Sequence, residues 1–339
     1  IRRPPRSTLS SSSAASDVYK RQEIISGFGT VGLLLDKTVR HYEDRIINHT
    51  GKFEYIIDFS PTSDADFYYV NDPSTMFSIN IDEEAHQNFR IGYSGNLKSN
   101  DYLVLRLKEE GFSISDMIEI GLFKENQNKK HIFYFQQRLM IPILNNSGKV
   151  IAFGGRLIGE GNPKYLNSPE TFLFHKSKQL FGVMNAKKFL NNKRLVVCEG
   201  YMDVISLTSH GYPAVASLGT ALTENQIENI FNISDEAFLV FDGDNAGQNA
   251  TLRVFEKYLP KLKLNKKLKF VFLPDRLDPE EFINKNGLNE FEKILDGAMG
   301  ALDMIWMQGL KKIKEHDPES HAFFWDYLRG KVNLIENID

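Results

Sequence analysis

Two short apolar runs in the chain each stop at a carboxylate followed by glycine. Leu195-Val196-Val197-Cys198 ends in Glu199-Gly200, and Ala237-Phe238-Leu239-Val240-Phe241 ends in Asp242-Gly243-Asp244. Runs of this length bounded by turn residues read as buried strands. Open α/β sheets place their ligands at the carboxyl ends of strands. One glycine separates Asp242 from Asp244, and glycine lets the backbone turn sharply there. Both carboxylates then converge on one hard cation. Mg²⁺ takes one or two protein carboxylates and keeps places for water and phosphate oxygens. Glu199, at a neighbouring strand end, either joins that cluster or serves as a general acid–base group. Asp278 and Glu280 follow a further apolar run and are placed to hold a second ion. Two such ions stabilise the attacking and leaving oxygens of in-line phosphoryl transfer. A lone Asp-Gly-Asp is usually only a turn. Its place at a strand end, beside a second acidic strand end, favours the catalytic reading.

Charge is segregated around these motifs. From Arg156 to Arg194 there are eight basic residues and two acids, net +6, and from Glu199 to Ala250 eight acids and no Lys or Arg, net −8. An acidic pocket beside a basic surface suits a metal-dependent enzyme acting on a polyanion. The whole chain of 339 residues carries only −3, which argues against a purely electrostatic nucleic-acid binder. It is long enough for two or three cores. A single cysteine, Cys198, excludes an internal disulfide framework or a Cys-rich zinc module in this chain. Within an apolar strand it reads as a buried core residue. No apolar run reaches the roughly 20 residues of a membrane-spanning helix, and a cytoplasmic location is expected.

The elements that must position the acids follow from periodicity. Strands are expected at 195–198, 212–217, 238–241 and 269–273, with helices at 203–210, 223–231 and 245–258 between them. Thr223 and Gln226 form a capping box. Alternation at this spacing means a parallel α/β sheet. After Glu280 the chain reads as mostly helical. Upstream, 115–120 is a short helix capped by Ser113 or Ser115, Asn145–Gly148 is a hairpin turn, and 149–153 is the return strand into Gly154-Gly155-Arg156. Residues 161–178 read as a polar loop poor in regular structure, concentrating Lys164, Tyr165, Asn167 and Lys176. Helices are expected at 82–89 and 102–110, and strands at 53–59 and 67–70. Gly27-x-Gly29-x-x-Gly32 matches the dinucleotide fingerprint, but no strand precedes it and no βαβ unit follows. Residues 1–22 are Ser-rich and aperiodic, look like a translated adaptor, and are expected to be disordered.

Glu199-Gly200-Tyr201-Met202-Asp203, Ser217-Leu218-Gly219-Thr220 and Asp242-Gly243-Asp244-x-Ala246-Gly247, in this order, resemble the Toprim domain of DnaG-type bacterial DNA primases. Gly154-Gly155-Arg156, Pro163-Lys164-Tyr165-Leu166-Asn167-Ser168-Pro169-Glu170-Thr171 and Phe174-His175-Lys176 resemble the basic N-terminal subdomain of that family's polymerase core. The resemblance runs from about Ile81 to the C-terminus. It implies an α/β fold. A Toprim-type parallel sheet flanked by helices (192–275) is preceded by a mixed α+β basic subdomain (81–191) and followed by a helical subdomain (276–339). Residues 23–80 remain unassigned.

The resemblance also implies template-directed synthesis of short RNA primers on single-stranded DNA from NTPs. Carried onto this chain, Glu199 is the catalytic acid, Asp242 and Asp244 are metal ligands, and Asp278 is a further ligand. Asp203 and Glu280 support the site. Arg138, Arg156, Lys164, Tyr165, Asn167 and Lys176 line a groove for nucleic acid or nucleotide. The implied cofactor is Mg²⁺ or Mn²⁺, as two ions, with no zinc in this chain. The replicative helicase is a partner of the full-length family protein, and its binding domain is not expected here; nor is a membrane. The chain departs from the family in lacking a Cys/His zinc domain and in carrying Gln136 where the family tends to have Arg. The competing readings are a Toprim nuclease and a non-catalytic single-strand-binding module.

Overall fold

The computed structural model describes residues 88–94, 104–105, 107–108, 111–191, 193–219, 221–263, 265–313 and 317–335. The expectations for 1–22, the Gly27 fingerprint and the strands at 53–59 and 67–70 lie outside the described residues, as does most of the helices expected at 82–89 and 102–110. The chain divides into two compact units, the first ending at His175 and the second beginning at Lys176.

In the first unit the elements run β1 (Gly92–Tyr93), α1 (Ile114–Glu119), β2 (Phe123–Glu125), β3 (His131–Phe133), β4 (Arg138–Leu144), β5 (Val150–Leu157) and β6 (Tyr165–Asn167). β1, β4, β5 and β6 form an antiparallel sheet in that order, and β2 pairs with β3. Ser113 caps α1: its hydroxyl accepts from the Asp116 N–H at 3.1 Å, while the Asp116 carboxylate accepts from the Ser113 N–H at 2.9 Å. The β4–β5 turn closes where expected, with Asn145 Oδ1 accepting from the Ser147 and Lys149 N–H groups at 2.9 and 3.0 Å. Met117, Leu122, Phe133, Phe135 and Phe153 form the core. One expectation is corrected. The 161–178 segment is not all loop, because β6 pairs with β5 through Gly154↔Asn167, Gly155↔Leu166 and Arg156↔Tyr165. The pairing is non-local, so no sequence period announces it.

The second unit runs α2 (Val183–Phe189), β7 (Leu195–Cys198), α3 (Tyr201–Ser209), β8 (Ala214–Ala216), α4 (Glu224–Phe231), β9 (Glu236–Phe241), α5 (Asn245–Tyr258), β10 (Lys267–Phe272), α6 (Pro279–Asp296), α7 (Ala301–Leu310) and α8 (Pro318–Val332). Its sheet is parallel with order β10-β9-β7-β8. Every residue of β7 and β8 is buried, as a sheet covered on both faces requires. Leu195, Val197, Leu239, Phe255 and Phe270 lie in its core. The expected strand–helix alternation and the Thr223–Gln226 capping box are both present.

α6 is bent at Gly287, whose φ of 78° and ψ of 170° leave the helical region. Beyond the bend the helix is fastened to the sheet. The Tyr212 hydroxyl donates to the Glu292 carboxylate. Arg194 reaches Glu292 at 3.4 Å and Asp296 at 2.5 Å. Burial and the Glu292 carboxylate push the Tyr212 phenol well above its ordinary pKa. Tyr212→Phe removes the buried donor of this bond from an exposed carboxylate. It should lower stability by about 1 kcal/mol, read as a drop in the urea midpoint with an unchanged slope.

Candidate active site

The acids stand at the carboxyl ends of the parallel strands. Glu199 follows β7, Asp242 follows β9, and Asp278 lies beyond β10. Local rules hold them. Asp203, buried in the first turn of α3, accepts from the Gly200 N–H at 3.0 Å. Asp244 is the N-cap of α5 and accepts from the Gly247 N–H at 2.8 Å. Asp278 is the N-cap of α6 and accepts from the Glu281 N–H at 2.7 Å, and Glu280 follows in the first turn of the helix. Each of these caps sits at a helix N-terminus, where the partial positive charge favours an anion.

Two glycines bring the backbones into contact. A Cβ on Gly247 would stand 2.2 Å from the Asp242 carbonyl oxygen, so α5 packs directly against the Asp242 backbone. A Cβ on Gly243 would stand 2.6 Å from the Leu273 carbonyl oxygen. The Gly243 N–H donates to the Leu277 carbonyl at 2.9 Å. The Asp-Gly-Asp turn and the loop leading to Asp278 are therefore joined by backbone.

The cluster is electrostatically unsatisfied. Burial, with the charges of Asp242 and Asp244, raises the Glu199 carboxyl from 4.5 to about 7; the Asp242 N–H and the positive charge of Arg253 act the other way. Burial, with Asp278 and Asp242, raises Asp203 to about 8. Burial, with Asp278, Asp244 and Glu281, raises Asp242 to about 6. Glu199 Oε1 is buried and has no hydrogen-bond partner among the described residues. Among the described residues no three His, Cys, Asp or Glu side chains close around a single point as a metal cage. Mg²⁺ needs no such cage. Hard oxygen donors, mutual repulsion and an orphaned buried carboxylate oxygen fit a divalent cation held partly by water and phosphate.

Of the residues expected to line a basic groove, all but Lys176 lie in the first unit. Arg156 and Tyr165 are cross-strand partners, with the guanidinium 6.0 Å from the ring centroid. Asn167 faces Gly154, and Lys164 directly precedes β6. Lys176 falls in the second unit, where its carbonyl accepts from the buried Gln226 amide at 3.1 Å. Arg138 departs from expectation. It is 5% exposed and lies on the opposite face of the sheet from Arg156 and Tyr165. Its guanidinium donates to the carbonyls of Gly155 (3.0 Å), Lys164 (3.4 Å) and Pro163 (2.9 Å). Its donors are committed to backbone, so it does not stand with the other cations. Sequence reasoning also missed Arg253, which carries a positive charge to Glu199 from α5. Its only signal is its position on the helix that Asp244 caps.

A parallel sheet with acids at successive strand ends defines a Toprim-type catalytic domain. Residues 196–283 match the Toprim-like family model, and residues 72–187 match the model of the DNA primase catalytic core, N-terminal domain. A DNA primase of Rickettsia felis is 40% identical over 229 residues, 67% of this chain and 38% of that protein. The chain thus spans well under half the length of such curated relatives. A DNA primase domain from Pseudomonas aeruginosa is 32% identical with a TM-score of 0.68, covering 76% of this chain and 80% of that one. A DnaG primase catalytic domain bound to single-stranded DNA is 28% identical with a TM-score of 0.76, covering 96% of both chains. The chain belongs to the DnaG-type DNA primase family, in its catalytic core.

Two outcomes are expected. Gly247→Ala forces α5 away from the Asp242 backbone and should lower Mg²⁺ affinity at least about tenfold, measured by calorimetric titration. The second concerns pH. Carboxyls raised in the folded state bind protons more tightly there than when unfolded. Their contribution to metal-free stability is full below about pH 4 and is lost as pH rises through the folded values of about 6, 7 and 8. Mg²⁺ competes with those protons. The rise in melting temperature on adding Mg²⁺ should therefore be larger above pH 8 than near pH 5, and an equal rise at both would contradict the cluster's coupling.

Proposed function

We propose that this chain performs the nucleotidyl transfer of a DNA primase, joining NTPs into short RNA primers on a single-stranded DNA template. The observation that carries the reading is the repelling carboxylate cluster at the strand ends, in a chain belonging to the primase core family. Asp242 and Asp244 hold Mg²⁺ or Mn²⁺ in this reading, with Asp278 as a ligand to a second ion. Bound there, the cations supply charge neutralisation to the triphosphate and to the oxygens that attack and leave. Glu199, with its carboxyl near 7, either accepts the proton of the attacking 3′-hydroxyl or shares a cation. The new bond runs from that oxygen to the α-phosphorus, and pyrophosphate departs. Asp203 and Glu280 support the cluster from the first turns of α3 and α6.

Arg156, Lys164, Tyr165, Asn167 and Lys176 contact nucleic acid or nucleotide in this reading. Cations neutralise phosphates, and an aromatic ring offers a base a stacking surface. The domain layout implied by the family, 81–191, 192–275 and 276–339, belongs to the same proposal. So do a cytoplasmic setting, the absence of zinc chemistry in this chain and a helicase partner for the full-length protein. Among the described residues no helix is long and apolar enough to cross a membrane.

The test is incubation with single-stranded DNA, NTPs and Mg²⁺ or Mn²⁺, alongside Asp242→Asn. Short RNA products should require the metal and vanish in the variant. In chelator near pH 8 the same variant should melt above the wild type, because a buried like charge is gone. Nicked DNA without RNA would point to a nuclease. Template binding without products in either protein would point to a binding module.

A further inference from the structure

Arg138 is a buried cation that no catalytic step uses. Its main chain is tied to the strand edge: the Arg138 N–H donates to Ser94 Oγ at 2.9 Å, and its carbonyl accepts from the Ser94 N–H at 3.0 Å. Its side chain then runs beneath β5 toward the segment that leads into β6. The passage exists because residue 155 is glycine. A Cβ there would stand 2.8 Å from Arg138 Cδ and 2.8 Å from the Phe135 ring. At the far end the guanidinium binds the carbonyls of Gly155, Pro163 and Lys164. Burial lowers the Arg138 pKa, so the charge is held at a cost in solvation. A residue needed only to fill space would more cheaply be apolar. Three directional bonds to backbone, two of them to residues 163 and 164, specify where the start of β6 lies. That strand carries Tyr165 and Asn167 to the other face, opposite Arg156 and Gly154.

We infer that Arg138 is a positioning residue that sets, from behind the sheet, the register and height of the Lys164–Tyr165 edge against which nucleic acid binds. The inference rests on the basic face of the proposed function. Arg138 touches neither template nor nucleotide. It acts through the carbonyls of residues 155, 163 and 164, and Gly155 is its counterpart because it leaves the path open.

The experiment uses the full chain. Binding of a fluorescein-labelled single-stranded oligonucleotide is read by anisotropy for Arg138→Ala, Gly155→Ala and Lys164→Ala. The Mg²⁺-induced rise in melting temperature serves as a readout of the acid cluster. Arg138→Ala and Gly155→Ala should each weaken binding about tenfold while the Mg²⁺ response stays that of the wild type. Ethylguanidinium in solution should restore binding to Arg138→Ala, whose vacated path admits it. It should not restore Gly155→Ala, whose path is filled. Wild-type binding by a folded Arg138→Ala would overturn the inference, as would a loss that ethylguanidinium leaves untouched. Lys164→Ala separates the two levels. If it weakens binding and Arg138→Ala does not, positioning by Arg138 is wrong. If it too binds as the wild type, the proposed binding face is wrong.

Discussion

Carboxylates brought together out of water repel one another, and the second unit is arranged around that repulsion. Glu199, Asp203 and Asp242 are held above their ordinary pKa by burial first and by each other's neighbours second. Each pKa unit of elevation represents about 1.4 kcal/mol favouring the protonated form. A chain free to relax would let such groups turn outward to solvent. Here they are prevented from doing so by where they start: strand ends in a buried sheet, and the first turns of helices.

The local restraints orient these acids without offsetting the repulsion. An N-cap contributes about 1 kcal/mol, which is comparable to a single unit of pKa elevation. The opposing free energy comes from the apolar sheet, whose strands β7 and β8 are buried throughout. This explains why glycine stands at 243 and 247. Any side chain there would wedge the caps away from the sheet that pays for them. It also explains the asymmetry of α6. Asp278 caps it and Glu280 lies in its first turn, while Arg194 and Tyr212 grip its far half, beyond the Gly287 bend. In the proposed function a divalent cation offsets this repulsion.

What was legible in the sequence was what local chemistry writes. The acids at strand ends, the 245–258 helix, the Thr223–Gln226 box and the Asn145–Gly148 turn all follow from residues a few positions apart. What was illegible depends on partners far along the chain. β6 needs β5, and its short Tyr165–Asn167 segment carries no period of its own. Arg138 looked like one more cation for a polyanion, because charge is visible in a sequence and burial is not. The signal lay in Gly155, which the Gly154-Gly155-Arg156 motif displayed without its reason. The double use of Asp244 and Asp278 was half legible. Their carboxylates suggested a metal, yet each also begins a helix, as Asp often does. Arg253 had only its place on the helix that Asp244 caps.

The two units place charge by opposite means with a common logic. In the second, carboxylates at neighbouring strand ends are crowded and partly buried, and they raise one another's pKa. In the first, the Arg138 guanidinium donates to three backbone carbonyls and lies on the face of the sheet opposite Arg156 and Tyr165. The difference is decided by backbone. Carbonyls bind Arg138, whereas Glu199 has a buried oxygen with no hydrogen-bond partner among the described residues. Buried polar groups are ordinarily paired, so an unpaired one calls for a physical reason. By that criterion Glu199 and Arg138 differ in their partners and not in being charged, although both stand in a motif-rich stretch of sequence.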